Sequence, residues 1–296
     1  MFQRWLNIDL PERSSCFLWG PRQTGKSTLL RERFPHSRRY DLLLSDEYRR
    51  LLHQPALFRE ECLALVRNAA VTQPIILDEV QKVPDLLDEV HWLIENTNLQ
   101  FILCGSSARK LRRGHGNLLG GRAWRYEMHP LVSAEVADLD LLKSLNRGMI
   151  PMHYLQAEYS KSLQAYVRDY LKEEVFDEGL TRNIPAFSRF FDAMGYSHGE
   201  LTNYTNIARD CGVDAKTVKE YYQILVDTLL GTMIEPYKRR QERQVITKAG
   251  KFYLFDVGVA NYLAGRAPQI GTPEFGKSFE HYILMELRAY QAYRHP

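Results

Sequence analysis

Cysteine is scarce in this chain of 296 residues. Four occur, Cys16, Cys62, Cys104 and Cys211, and no two form a CxxC pair. That usage speaks against a zinc site or a disulfide framework and fits a reducing, cytoplasmic setting. Cys16 and Cys104 lie in apolar runs and read as small buried hydrophobes. Long apolar runs are missing as well. None approaches the ~18 residues of a membrane span, so no membrane partner is expected. The N-terminus, Met1-Phe2-Gln3-Arg4-Trp5-Leu6, lacks the basic start and apolar core of a secretory signal. Nor does charge of one sign dominate: 39 Lys and Arg stand against 36 Asp and Glu. A net charge of +3 is too small to argue for nucleic acid without local clustering. Internal repeats and low-complexity segments are absent. What remains is an ordinary globular composition, 45% hydrophobic and 25% charged, in a chain long enough for two domains.

The first half alternates short apolar runs with amphipathic ones. Ser15–Trp19, Arg39–Leu43, Pro74–Glu79, Phe101–Cys104 and Ala123–Met128 read as strands. Ser45 to about Ala70, broken near Pro55, and Asp85–Asn96 read as helices, the latter with Leu86, Leu87, Val90 and Leu93 on one face. Continuous apolar strands alternating with helices predict a parallel sheet covered on both faces. From Arg147-Gly148-Met149-Ile150-Pro151 onward the pattern turns mostly helical, beginning with Ser160–Glu178. The expected divisions are 1–150 for the α/β core, 151–196 for a helical linker or lid, 197–253 for a small helical module and 254–296 for a further segment.

Gly20-Pro21-Arg22-Gln23-Thr24-Gly25-Lys26-Ser27 fits GxxxxGK(S/T). A strand precedes it and a helix, Lys26 to Phe34, follows. That context converts the pattern into a phosphate-binding loop of an α/β nucleotide-binding core. Glycines let backbone N–H groups close round phosphates, and the helix N-terminus faces the same anion. The segment Gly20 to Thr28 is thus the expected nucleotide site. Lys26 is expected to reach the β- and γ-phosphates and Ser27 to hold Mg²⁺.

Ile75-Ile76-Leu77 runs into Asp78-Glu79. If this strand lies next to the loop-bearing one, Asp78 reaches Mg²⁺ through its water shell and Glu79 orients or deprotonates the attacking water. The alternative is a strand that ends in a solvated acidic turn. The following strand ends in Gly105-Ser106-Ser107. Ser106 is the expected sensor of the γ-phosphate; Ser107 could share that task or cap a following helix. Between Ser106 and Tyr126 stand Arg109, Lys110, Arg112, Arg113, Arg122 and Arg125, with no acid among them. This run could place an arginine on the γ-phosphate, touch nucleic acid, or be solvated surface. Arg122 is the candidate for the first, acting in cis or from a neighbouring subunit, the second of which would make the protein a homo-oligomer.

In the second half, Thr205 to Val218 has the form of a helix-turn-helix. Ala208 is small where two helices would cross, Gly212 sits at the turn, and Asp214 can cap the second helix. Val218, Tyr221, Tyr222, Leu225 and Leu229 form its expected apolar face, with Lys216, Lys219 and Gln223 outward. Thr232–Tyr237 could begin a wing. From Gly199 to Phe252 there are nine Lys or Arg against seven acids. Only Lys238–Lys251 is concentrated. Any DNA contact is therefore expected at Lys216, Lys219, Lys238, Arg239 and Arg240; a lid or subunit contact is the other use of such a module.

These residues together resemble the predicted AAA-type ATPases of bacteria and archaea, which pair an ATPase core with a C-terminal domain of unknown function. The likeness is carried by GPRQTGKST at 20–28, IILDEVQKVPDLL at 75–87, LCGSSARKLRRGHGNLLGGR at 103–122 and HPLVSAE at 129–135. Further on it is carried by YLKEEVFDEGLTRNIPAF at 170–187, NIARDCGVDAKTVKEYYQILVDTLLG at 206–231 and KFYLFDVGVANYL at 251–263. It spans nearly the whole chain. It implies hydrolysis of Mg²⁺-ATP, with Lys26, Ser27, Asp78 and Glu79 in the Walker roles and Ser106 or Ser107 as sensor. ATP rather than GTP is preferred on the same ground. The resemblance also implies a winged helix and a restriction-endonuclease-like segment that continues beyond the helix 279–290. The sequence stops at Pro296. Glu280 and Glu286 are present, but no partner Asp or Glu-x-Lys follows. A nuclease site is therefore expected to be incomplete, as in a truncated product.

Overall fold

A computed structural model describes residues 2–11, 13–68, 71–106, 119–171, 183–236 and 250–294. Among these the chain divides into two compact units. One comprises Gln3–His129 with Ala289–Pro296, and the other Pro130–Arg288 with Phe2.

The first unit is built on five parallel strands: β1 (Ser15–Trp19), β2 (Arg39–Asp41), β3 (Ile75–Asp78), β4 (Phe101–Gly105) and β5 (Ala123–Glu127), in the spatial order β2-β3-β4-β1-β5. β1 and β4 are buried at every position and β3 at all but its last. That is the burial a parallel sheet imposes when helices cover both faces. Burying a Phe or Leu side chain contributes about 1.5–3 kcal/mol, and Phe17, Leu18, Ile76, Phe101 and Leu103 are all shut away from water. The helices are α1 (Lys26–Arg33), α2 (Ser45–His53), α3 (Ala56–Arg67) and α4 (Leu86–Asn96). The break near Pro55 falls between α2 and α3 as the sequence indicates. α4 turns Leu86, Leu87, Val90 and Leu93 inward.

The strand order corrects one expectation. β3 is not next to the loop-bearing strand: β4 is inserted between them and pairs with both, Ile102 facing Cys16 on one side and Ile76 on the other.

The second unit is mostly helical. It contains α5 (Leu141–Arg147), α6 (Pro151–Leu155), α7 (Tyr159–Ala165, continuing as a π-turn to Leu171), α8 (Ile184–Tyr196), α9 (Tyr204–Cys211), α10 (Ala215–Asp227) and α11 (Val257–Leu263). One antiparallel pair joins them, β6 (Gly231–Ile234) and β7 (Lys251–Leu254). Its core gathers Phe187, Phe190, Phe191, Ile207, Val218, Tyr221, Tyr222, Leu225 and Phe252. α9 ends at Gly212, which takes the left-handed backbone (φ 68°) that a side chain would strain. Asp214 Oδ1 then accepts from the Thr217 N–H at 2.7 Å and starts α10. Leu229 departs from the expected face. α10 stops at Asp227, Leu229 has a positive φ of 61° and is half-buried, and Ile224 and Leu230 fill the core instead.

The helix α12 (Pro273–Arg294) closes the described chain. No helix among the described residues is long and apolar enough to cross a membrane.

Candidate nucleotide site

The loop from Gly20 to Ser27 leaves the C-terminal end of β1 and enters α1. Two glycines shape it. A Cβ on Gly20 would collide with the carbonyl oxygen of Met128. Gly25 caps α1 in the left-handed region, φ 97°. Thr24 Oγ1 donates to Pro21 O at 2.8 Å and holds the turn from inside. The Lys26 ammonium is buried and donates to the loop carbonyls of Gly20 (2.6 Å) and Pro21 (3.0 Å). Arg22 is half-buried, while Gln23 and Thr28 are exposed.

Ser27 Oγ donates to Asp78 Oδ2 at 2.7 Å. The carboxylate at the end of β3 therefore reaches the first turn of α1 across the inserted strand. Glu79 follows with a left-handed backbone (φ 58°) and a carboxyl only 6% exposed. Burial pushes that carboxyl above its ordinary value. The charges of Lys26 and Arg22 pull it back, and the neighbouring Asp78 raises it further. The short 3₁₀ turn Val80–Lys82 then doubles the chain back, with Lys82 N bonded to Glu79 O at 3.0 Å. This brings the Gln81 side chain under the strand ends. Its Nε2 donates to Glu79 Oε2 (2.6 Å) and to Ser106 Oγ (3.1 Å). Lys26, Ser27, Asp78, Glu79 and Ser106 are thus brought to one edge of the sheet.

Two contributors have no motif to announce them. Gln81 is one. Arg4 is the other: buried, it donates to the loop carbonyl of Thr24, to His129 O (2.7 Å) and to the Tyr293 hydroxyl (3.3 Å). Their only sequence signals are a Gln two places after the Asp-Glu pair and an Arg among mixed residues near Met1, and neither is distinctive.

Arg122 requires a correction. Ser15 pairs with Ala123, so Arg122 lies at the start of β5, level with the start of β1, and its Nε bonds Glu95 at 2.5 Å. The phosphate loop leaves the other end of β1, about 13 Å away at the ~3.3 Å rise of a strand. Arg122 cannot reach the phosphate of its own chain; of the arginine-finger readings the one from a neighbouring subunit is left open, beside nucleic-acid contact and solvated surface. Ser107, Arg109, Lys110, Arg112 and Arg113 lie outside the described residues, as do Lys238, Arg239 and Arg240. Lys216 and Lys219 are exposed on α10, with the Lys219 ammonium 5.3 Å from the ring centre of Tyr204. Glu280 is occupied by Lys251 and the Tyr253 hydroxyl, and Glu286 by the backbone N–H and hydroxyl of Ser133.

Residues 12–137 match the family of AAA domains, and residues 139–270 match a domain of unknown function, DUF8612. The chain thus carries an AAA domain with a phosphate loop, followed by a domain of unknown function. Uncharacterized proteins of Mycobacterium tuberculosis and Mycobacterium bovis are each 25% identical to it over 287 residues, 92% of this chain and 62% of theirs. The chain spans less than two thirds of the length of these curated relatives. Among solved structures, the Walker-type ATPase of Pyrococcus abyssi shares the fold at a TM-score of 0.52 and 14% identity, covering 84% of this chain and 90% of that one.

Proposed function

We propose that the chain binds Mg²⁺-ATP at the loop Gly20–Thr28, hydrolyses it to ADP and phosphate, and uses the cycle to move a winged helix made of α9, α10 and the β6–β7 pair. The observation that carries this reading is the 2.7 Å bond from Ser27 to Asp78, with Glu79 buried beside it. A switch that only binds nucleotide has no need of a second acid at that place.

ATP binding exchanges the bonds of Lys26 to the Gly20 and Pro21 carbonyls for bonds to phosphate oxygens. The Ser27 hydroxyl and the Asp78 carboxylate are hard oxygen donors and suit Mg²⁺. Among the described residues no group of three His, Cys, Asp or Glu could hold a metal alone. The ion would therefore come with phosphates and water as its remaining ligands. Bound there, it neutralises charge on the β- and γ-phosphates. Glu79 orients and accepts a proton from the attacking water, and the Ser106 hydroxyl donates to the γ-phosphate. The four free, buried cysteines suit a reducing cytoplasm.

Phosphate release titrated with Mg²⁺ tests the reading. Turnover should require Mg²⁺, Lys26→Ala should lose ATP binding, and Asp78→Asn should need at least ~10-fold more Mg²⁺ for its residual rate. Turnover that ignores Mg²⁺, or that survives Lys26→Ala, contradicts it. A second reading is an ATP-gated DNA-binding regulator with little turnover, favoured by the exposure of Lys216 and Lys219 on one helix. Its mark is duplex binding that weakens steeply with salt, with the slope reduced by ~1 for each lysine removed.

A further inference from the structure

We propose that Gln81 is a positioning residue for hydrolysis, tying the water-orienting Glu79 to the phosphate-sensing Ser106. The inference rests on the ATPase reading and deepens it. Four observations support it. The Gln81 side chain is 4% exposed, and a single nitrogen, Nε2, spans both partners, at 2.6 Å to Glu79 and 3.1 Å to Ser106. Its orientation is fixed by chemistry, because the reversed amide would set its carbonyl oxygen against the Glu79 carboxylate. The space it occupies is reserved: a Cβ on Gly105 would collide with Gln81 Oε1 and press on the Trp19 ring. The backbone that delivers it is held in the left-handed region at Glu79, φ 58°, a conformation that costs a non-glycine residue free energy and persists where the surroundings enforce it.

One planar amide therefore fixes the distance between the acid that handles the water and the hydroxyl that meets the γ-phosphate. Without it, each side chain can rotate independently. Burial alone does not account for the arrangement. Gln81 Oε1 has no hydrogen-bond partner among the described residues, and an apolar side chain of the same length would fill the site without leaving that oxygen unsatisfied. ATP contacts remain with Lys26, Ser27 and the loop, so the effect belongs to the chemical step.

Steady-state turnover and ATP affinity of Gln81→Met, Gln81→Glu, Ser106→Ala and the Gln81→Met/Ser106→Ala double variant test this. Met keeps the length and removes the donors; Glu keeps the shape and replaces donor with acceptor. We expect kcat to fall ~10²-fold in both Gln81 variants, the scale of a small misplacement at a reacting centre, with the ATP Kd within about threefold of wild type. The double variant should lie no more than about threefold below the slower single one, because the two residues act as a unit. Wild-type turnover in Gln81→Met, a raised rate, or losses that multiply in the double variant would overturn the proposal while leaving the ATPase reading intact. Absence of turnover in the wild type itself would overturn both.

Discussion

At the scale of the residue, the site is held by contacts that allow little substitution. Gly20 is the clearest case. Its Cα lies against the Met128 carbonyl, and Met128 N bonds Trp19 O at 2.7 Å, so the loop and the exit of β5 are pinned together. Gly20→Ala must push backbone against backbone. We expect a loss of about 1–3 kcal/mol in urea unfolding, and ATP affinity at least ~10-fold weaker; wild-type values of both would contradict the role given to this contact. The residues with chemistry in their motif (Lys26, Ser27, Asp78, Glu79) were legible because the phosphate loop and the Asp-Glu strand end are local patterns. Gln81 and Arg4 were not. Their significance comes from what the fold brings to them, Ser106 from 25 residues along the chain and Thr24 from 20. Arg122 shows the converse limit, and only for its action within one chain. Its place just before a strand was correct, and in a parallel sheet a strand's start lies at the end opposite the phosphate loop.

At the scale of the element, the buried histidines of the second unit make β7 sensitive to acid. His198 Nε2 accepts from Leu254 N at 3.0 Å, and His281 Nε2 bonds Leu254 O at 2.7 Å, the two rings 4.6 Å apart. Burial holds His198 well below its ordinary value, helped by His281 and Arg266, and lowers His281 to about 4, with Arg266 adding to it and the Leu254 carbonyl and Glu280 opposing. His153, bonded to Ser162, is likewise lowered to about 4 by burial. A ring that is neutral when folded takes up a proton on unfolding below about 6.5. Its contribution to stability is therefore complete above that pH and is lost as the pH falls from 6.5 towards 4. Asp256 works the other way. Fully buried, it is raised to about 6, so between 3.8 and 6 acid favours the fold. The raised Glu79 acts in the same sense as Asp256, and three rings outweigh these two carboxyls. The urea midpoint should fall between pH 7 and pH 5, and a midpoint that rises would refute the role given to these histidines. Most elements were readable from periodicity, because apolar runs and helical stripes are local. The position of β4 between β1 and β3 was not, because strand order is set by pairing over long sequence separations. The end of α10 before Leu229 was also missed, because a left-handed turn there overrides a spacing that still looked helical.

At the scale of the whole molecule, one parallel sheet gathers a nucleotide-binding edge, and a separate helical unit carries the exposed lysines of α10. The division falls between His129 and Pro130, earlier than the change of composition near residue 150. α5 lies before that change, yet it belongs with α11: Asn261 Nδ2 donates to Leu145 O at 3.0 Å and Asp256 Oδ2 accepts from Met149 N at 2.7 Å. If the sheet edge is a hydrolytic centre, Glu79→Gln should abolish its chemistry and spare its binding. The substitution keeps size and shape and removes only the carboxylate that would take the proton. Phosphate release and ATP affinity should be measured side by side with the wild type. ATP should bind as tightly as to the wild type, with turnover lower by at least ~10². Undiminished turnover in Glu79→Gln would contradict it, as would tight binding with no turnover in either protein.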